Sequence, residues 1–284
     1  MPDKVTAPVV RAAKGGEKLR MVTAYDTPTA LIADRAGADI ILVGDSLANV
    51  VLGYADTLQA TVDVMVHHTA AVSRAAPRAM VVGDMPWLSY HVSVEQSVVN
   101  AGRLVREGGA EAVKLEGGRK RLRVVAALLD AEIPVMGHIG LTPQSVRAMG
   151  GYKVQGKDLG CARDLIADAV ALADAGVFSI VLEGVPDLLA ALITETVPVP
   201  TIGIGAGPDT DGQVLVFHDV LGLHEERMPK FVRTYATLFD DAVQALERFF
   251  ADVQSGGFPS AEESYTMAPE VIDLLREGGS SSAG

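Results

Sequence analysis

Four times the chain runs apolar and then stops on a carboxylate beside a glycine: ILVGDS at Asp45, VVGDMP at Asp84, AVKLEGG at Glu116 and SIVLEGVP at Glu183. Short runs of Val, Ile and Leu bounded by Gly or Pro fit strands buried on both faces, the pattern of a parallel sheet. Each acid then lies at the C-terminal end of a strand, the edge at which parallel α/β folds bind ligands. A fold that brings four such edges to one rim gathers four hard oxygen donors in one place, and a metal ion is the simplest way to hold them together.

Strand-like runs are expected at 19–24, 40–43, 80–83, 112–115, 134–139, 179–182, 201–204 and 214–217. Helical segments alternate with them at 28–36, 62–75, 94–107, 162–175 and 186–196, stopping before Gly37, Pro77, Gly108, Gly176 and Pro198. Gly or Pro just past the last helical residue is the usual stop. A chain of 284 residues suits one large α/β barrel or two small domains. Eight βα units without a break in composition choose the (β/α)8 TIM barrel. The expected organisation is an N-terminal extension over 1–18, a catalytic barrel over 19–254 and a C-terminal arm over 255–284. The arm carries a short helix from Pro269 and ends in a Ser/Gly tail with no means of packing. Residues 140–160 are too long and glycine-rich for an ordinary βα turn, and loops of that kind carry function.

A formal net charge of −12 argues against binding to nucleic acid or an anionic membrane. The single Cys161 excludes an internal disulfide framework, and no Cys/His cluster offers a zinc site, so the chemistry rests on oxygen and nitrogen groups. No apolar stretch resembles a signal segment or a membrane span, which points to a cytoplasmic protein.

Within a barrel, Asp45, Asp84 and Glu116 end adjacent strands. Three neighbouring carboxylates suit Mg²⁺, which is commonly held by one or two of them together with water and substrate oxygens. Any one of these acids taken alone is equally a helix cap or turn residue. Lys114 lies two residues before Glu116 and so points the same way, into the barrel. It either binds a substrate carboxylate or keto oxygen or forms an ion pair with Glu116 or Asp84. Glu183 follows the sixth strand, opposite the metal trio, where an uncommitted carboxylate suits a general base. His138, at the fifth strand end, could hydrogen-bond a substrate oxygen, and Ser46 could meet a carboxylate. His67 and His68 are expected on an outward helical face. GIGAG at 203–207 is either a phosphate-binding turn or a tight turn that shapes the mouth.

These stretches, with TAYD, HHTAAV, GHIGLTPQS, GGYKVQG and the DGQVLV that follows IGIGAG, resemble the ketopantoate hydroxymethyltransferase family from about Met21 to Leu223. The resemblance implies a barrel of the phosphoenolpyruvate mutase/isocitrate lyase superfamily type. It implies transfer of a hydroxymethyl group from 5,10-methylenetetrahydrofolate to 3-methyl-2-oxobutanoate through a Mg²⁺-stabilised enolate, giving 2-dehydropantoate. Position by position, Asp45 and Asp84 would be metal ligands, Glu116 would belong to the metal shell, Ser46 and Lys114 would bind the ketoacid, and Glu183 would accept the proton. Family members assemble as large homo-oligomers, often decamers. The rival readings are a C–C bond lyase of the same superfamily and an inactive barrel kept as a binding protein. Such lyases usually carry a Lys-Cys-Gly-His loop, which this sequence lacks, and a binder would not need both a metal set and an opposed base.

Overall fold

Each expected apolar run is a strand in the computed structural model, which describes residues 3–76, 78–225 and 228–279. The strands are β1 (Leu19–Thr23), β2 (Ile40–Val43), β3 (Met80–Asp84), β4 (Ala112–Glu116), β5 (Val135–Gly140), β6 (Ser179–Glu183), β7 (Thr201–Ile204) and β8 (Gly212–Leu215). They pair in parallel, in chain order, and β8 closes on β1. The helices are α1 (Ala7–Ala12), α2 (Thr27–Arg35), α3 (Leu47–Val50), α4 (Val62–Ser73), α5 (Val94–Arg106), α6 (Leu122–Asp130), α7 (Val146–Met149), α8 (Leu159–Ala175), α9 (Asp187–Thr196), α10 (Phe217–Leu221), α11 (Leu238–Ser255) and α12 (Pro269–Gly279). The five helices bounded from the sequence are α2, α4, α5, α8 and α9, and all but one of their ends fall within two residues of expectation. The larger difference is at α8, which starts at Leu159 because the Asp158 carboxylate accepts the Cys161 N–H and caps it. The stop expected at Pro77 lies outside the described residues.

Strand alternation divides the core in two. Residues such as Ile41, Val43, Val81, Val113, Ile180 and Leu182 pack outward against the helices in one buried cluster. Met21, Ile40, Leu42, Met80, Val82, Ala112, Met136, Val181, Ile202 and Val214 fill the barrel in another. A barrel this narrow is packed with side chains below and leaves room for a ligand only near its rim. Register continues the inward set upward, pairing Asp84 with Lys114, Glu116 with His138 and Gly140 with Glu183. At Gly140 the backbone has φ +96°, and a Cβ would collide with the Glu183 carbonyl, so only glycine lets β5 pass the end of β6.

The opposite end of the barrel is plugged by the N-terminal segment. Val5, Ala7 and Val10 join the same buried cluster as the inward strand residues. Lys4 donates to the Ala79 carbonyl at 2.7 Å and pairs with Glu111 at 2.8 Å, while Lys14 pairs with Asp211 at 2.9 Å. The stretch 1–18, expected as an extension, is thus partly a barrel element.

The described chain forms two compact units, Met1–Leu221 with Glu226–Tyr235, and Gly222–Glu225 with Ala236–Gly284. The boundary near residue 235 lies ahead of the one read at 254, because α11 belongs to the second unit and buries none of its residues. Within that unit Phe249 meets Phe250 and Phe258 at ring distances of 5.7 and 5.3 Å. Of the tail GGSSSAG at 278–284, expected to be disordered, the first two residues end α12 and 280–284 lie outside the described residues.

Candidate active site

A cavity of about 460 Å³ opens at the C-terminal rim of the barrel. Asp45, Ser46, Asp84, Lys114, Glu116, His138 and Glu183 all line it, over a floor that includes Leu42, Val181 and Val214. Every residue singled out from the strand ends is therefore brought to one space.

The inward parity of β3 and β4 sets Lys114 beside Asp84, its register partner, at 2.9 Å. The contact is an ion pair outside hydrogen-bond alignment, since Asp84 Oδ1 has no donor aligned on it. Of the two roles open to Lys114, the ion pair with Asp84 is present. Burial disfavours the ammonium, but the charges of Asp84, Glu116 and Asp45 outweigh it and hold Lys114 above its ordinary range. Burial comes first for Asp45 as well, and the neighbouring Asp84 and Glu116 add to it, so its carboxyl is pushed well above the usual carboxylate range. The Asp45 N–H donates to Asp84 Oδ2 at 3.2 Å.

His138 connects the carboxylates rather than standing alone. Its Nδ1 lies 3.5 Å from Glu116 Oε1 and 3.4 Å from Lys114 Nζ, and its Nε2 lies 3.2 Å from Glu183 Oε2. Burial and Lys114 lower its pKa, but Glu116 and Glu183 outweigh them and bring it to about 9. Glu183 is therefore not the isolated acid expected across the mouth. It touches the imidazole that reaches Glu116, while its side chain keeps 16% exposure against 3% for Glu116 and 1% for Asp84.

The donor set fits a small divalent cation. Glu116 Oε1 is a buried oxygen with no hydrogen-bond partner, and an orphaned buried acceptor calls for a cation or water; Asp84 Oδ1 is already answered by the Lys114 ammonium at 2.9 Å. Among the described residues no group of three His, Cys, Asp or Glu side chains is assembled as a cage.

Ser46 shares a 2.8 Å hydrogen bond with the buried Tyr25 hydroxyl. The GIGAG turn is not an open phosphate cradle: a Cβ at Gly207 would strike Asp187, and Gly205 packs against Phe231 at the cavity mouth. His68 differs from expectation too. His67 is exposed, but the half-buried His68 ring contacts the Tyr25 carbonyl at 2.6 Å and ties α4 to the end of β1.

Sequence reasoning missed Tyr90 and Gln144. Both are buried, and they bond to each other and to the acids of the site. The long 140–160 loop was the available signal for Gln144, whereas nothing local marks Tyr90. The same loop sends Tyr152, Lys153 and Val154 to the cavity wall.

The sequence model of the family described as ketopantoate hydroxymethyltransferase matches residues 4–261. A 3-methyl-2-oxobutanoate hydroxymethyltransferase of Carboxydothermus hydrogenoformans is 55% identical over 274 residues, covering 96% of this chain and 99% of the relative. One from Moorella thermoacetica is 57% identical over 263 residues, with coverages of 92% and 98%. Among solved structures, a phosphonopyruvate hydrolase superposes with a TM-score of 0.60 at 14% identity, covering 98% of this chain and 96% of its own. A 2,3-dimethylmalate lyase, a member of the PEP mutase/isocitrate lyase superfamily, gives 0.58 at 16% identity with 99% coverage of both chains. These structural likenesses show the fold, a closed (β/α)8 barrel.

Proposed function

The chain belongs to the ketopantoate hydroxymethyltransferase family and is an enzyme of that activity, and from this premise we propose that it transfers a hydroxymethyl group from 5,10-methylenetetrahydrofolate to 3-methyl-2-oxobutanoate. The product would be 2-dehydropantoate, feeding pantothenate and coenzyme A synthesis. The observation that carries this reading is the division of acids within one cavity, with Asp45, Asp84 and Glu116 buried and Glu183 part-exposed beside them.

Asp45, Asp84 and Glu116 would hold Mg²⁺. Bound there, the ion would polarise the carboxylate and keto oxygens of the ketoacid and ease loss of the C3 proton. Lys114 would neutralise the substrate carboxylate, and Ser46 and His138 would hydrogen-bond its oxygens. Glu183 would take the C3 proton as general base, its Oε2 lying 3.2 Å from His138 Nε2. The C3 carbanion equivalent then forms a bond to the one-carbon unit of the folate, and water supplies the hydroxyl as tetrahydrofolate leaves. Holding both reactants in contact removes much of the entropy barrier to a bimolecular step. The apolar floor around Val181 and Val214 suits the branched aliphatic end of the ketoacid. Family membership also favours a cytoplasmic homo-oligomer, and among the described residues no helix is long and apolar enough to cross a membrane.

The enzyme with Mg²⁺ and no folate is expected to exchange the C3 deuterium of labelled 3-methyl-2-oxobutanoate, followed by NMR. Glu183→Gln should slow that exchange by on the order of 10² or more while leaving ketoacid binding largely intact. Asp84→Ala should instead weaken Mg²⁺-dependent ketoacid binding. Exchange no faster than background in the unaltered enzyme would overturn the proton-abstraction step, and identical behaviour of the two variants would overturn the division of roles.

A further inference from the structure

Gln144 stands on the loop after β5, yet it reaches acids from two other strand ends. Its backbone N–H donates to Glu116 Oε2 at 3.0 Å, and its side-chain Nε2 donates to Asp45 Oδ2 at 2.9 Å and to the Met85 carbonyl at 3.0 Å. It is 4% exposed, so these bonds are made out of bulk water.

An amide can be turned either way, and only one way is useful here. With Nε2 reversed, an oxygen would face the Asp45 carboxylate and the Met85 carbonyl, acceptor against acceptor. Tyr90 settles the choice. Its hydroxyl accepts the Glu116 N–H at 3.2 Å, which leaves its own proton to donate to Gln144 Oε1 at 2.5 Å. The ring is held in turn by Arg121, whose guanidinium carbon lies 5.2 Å from the ring centroid. The hydrogen bonds thus run in one direction, from the Glu116 N–H through the Tyr90 hydroxyl and the Gln144 amide to the Asp45 carboxylate.

We propose that Gln144, oriented by Tyr90, is a positioning residue that fixes the Asp45 and Glu116 carboxylates for a divalent cation. The inference rests on the metal role given to these acids above and extends it to a residue that would itself touch neither ion nor substrate. Partners of this kind orient metal-binding side chains, and their loss typically weakens metal affinity 10- to 100-fold.

The test uses Mn²⁺ as the probe ion, titrated into the purified full-length protein and followed by electron paramagnetic resonance of the free ion. Gln144→Met keeps similar bulk without donors and should weaken Mn²⁺ binding on the order of tenfold or more. Tyr90→Phe keeps the ring and frees the amide to turn, and should weaken it in the same direction by a smaller factor. A merely structural role would lower the melting temperature of these variants without changing the Mn²⁺ affinity of the folded protein. Asp84→Asn is the control on the underlying reading. If Asp84→Asn loses binding while Gln144→Met and Tyr90→Phe bind as the unaltered protein does, the clamp is wrong and the metal site stands. If Asp84→Asn itself binds normally, the metal assignment fails and the clamp fails with it. Should Gln144→Met not fold, Tyr90→Phe alone decides, since unchanged affinity there removes the orienting step.

Discussion

Asp211 is one of the buried acids that serves the fold rather than the site. Just ahead of β8, its Oδ2 accepts the Thr201 N–H at 2.9 Å and pairs with Lys14 at 2.9 Å, while Oδ1 accepts the Gly15 N–H at 3.0 Å. Burial opposes its charge, but these donors and the lysine outweigh burial and hold the carboxyl below its ordinary range. A depressed folded-state value stabilises the protein above the unfolded value of about 3.9, and that stabilisation is lost as pH falls through the folded-state value. Asp211→Asn sets an NH₂ group against at least one buried donor and is expected to lower stability by about 1–3 kcal/mol at neutral pH. Urea unfolding should show that difference shrinking in strongly acidic buffer. A difference that survived acid unchanged would mean that charge is not what holds the N-terminal segment to β8.

Among the elements, those with a period were legible. Eight apolar runs correspond to eight strands, and the spacing of Lys114 and Glu116 encodes their shared inward direction, because strand parity is local. The six-residue α1 has too few turns to show a period, and its burial depends on the shape of the barrel end it fills. Gln144 was hidden for a similar reason, since its partners lie 28 and 99 residues away and no local pattern encodes that distance. The plug is testable by itself. Val10 is fully buried among the inward strand residues, so Val10→Ala removes two carbons from a packed core. A loss of about 2 kcal/mol is expected in urea denaturation, combining lost burial with the void left behind. A change below about 0.5 kcal/mol would show that α1 rests on the barrel without filling it.

Across the whole molecule the acids proposed to hold a cation work against the fold. The chain carries a net charge of −12 and still buries Asp45, Asp84 and Glu116 around one lysine and one histidine. With the Asp45 carboxyl raised above its unfolded value, its contribution to stability is complete below about pH 3.9 and is lost as pH rises through the folded-state value. At neutral pH the metal-free protein therefore carries the penalty in full or in part, a trade of stability for function. Asp45→Asn keeps the shape and an acceptor for Gln144 while removing the charge. It is expected to raise the melting temperature of the metal-free protein at neutral pH by about 2–4 °C, the shift that roughly 1 kcal/mol produces in a chain of this size. Millimolar Mg²⁺ should stabilise the unaltered protein, by about 2.7 kcal/mol if the ion stands at a hundred times its dissociation constant, and should not stabilise Asp45→Asn. Because a proton on Asp45 competes with the ion, the Mg²⁺-dependent rise should grow as pH increases from 5 to 8. Differential scanning fluorimetry with and without EDTA measures all three quantities. A metal-free Asp45→Asn protein that melts below the unaltered one at neutral pH would show that its neighbours already compensate this carboxylate, and that the site needs no cation to balance its charge.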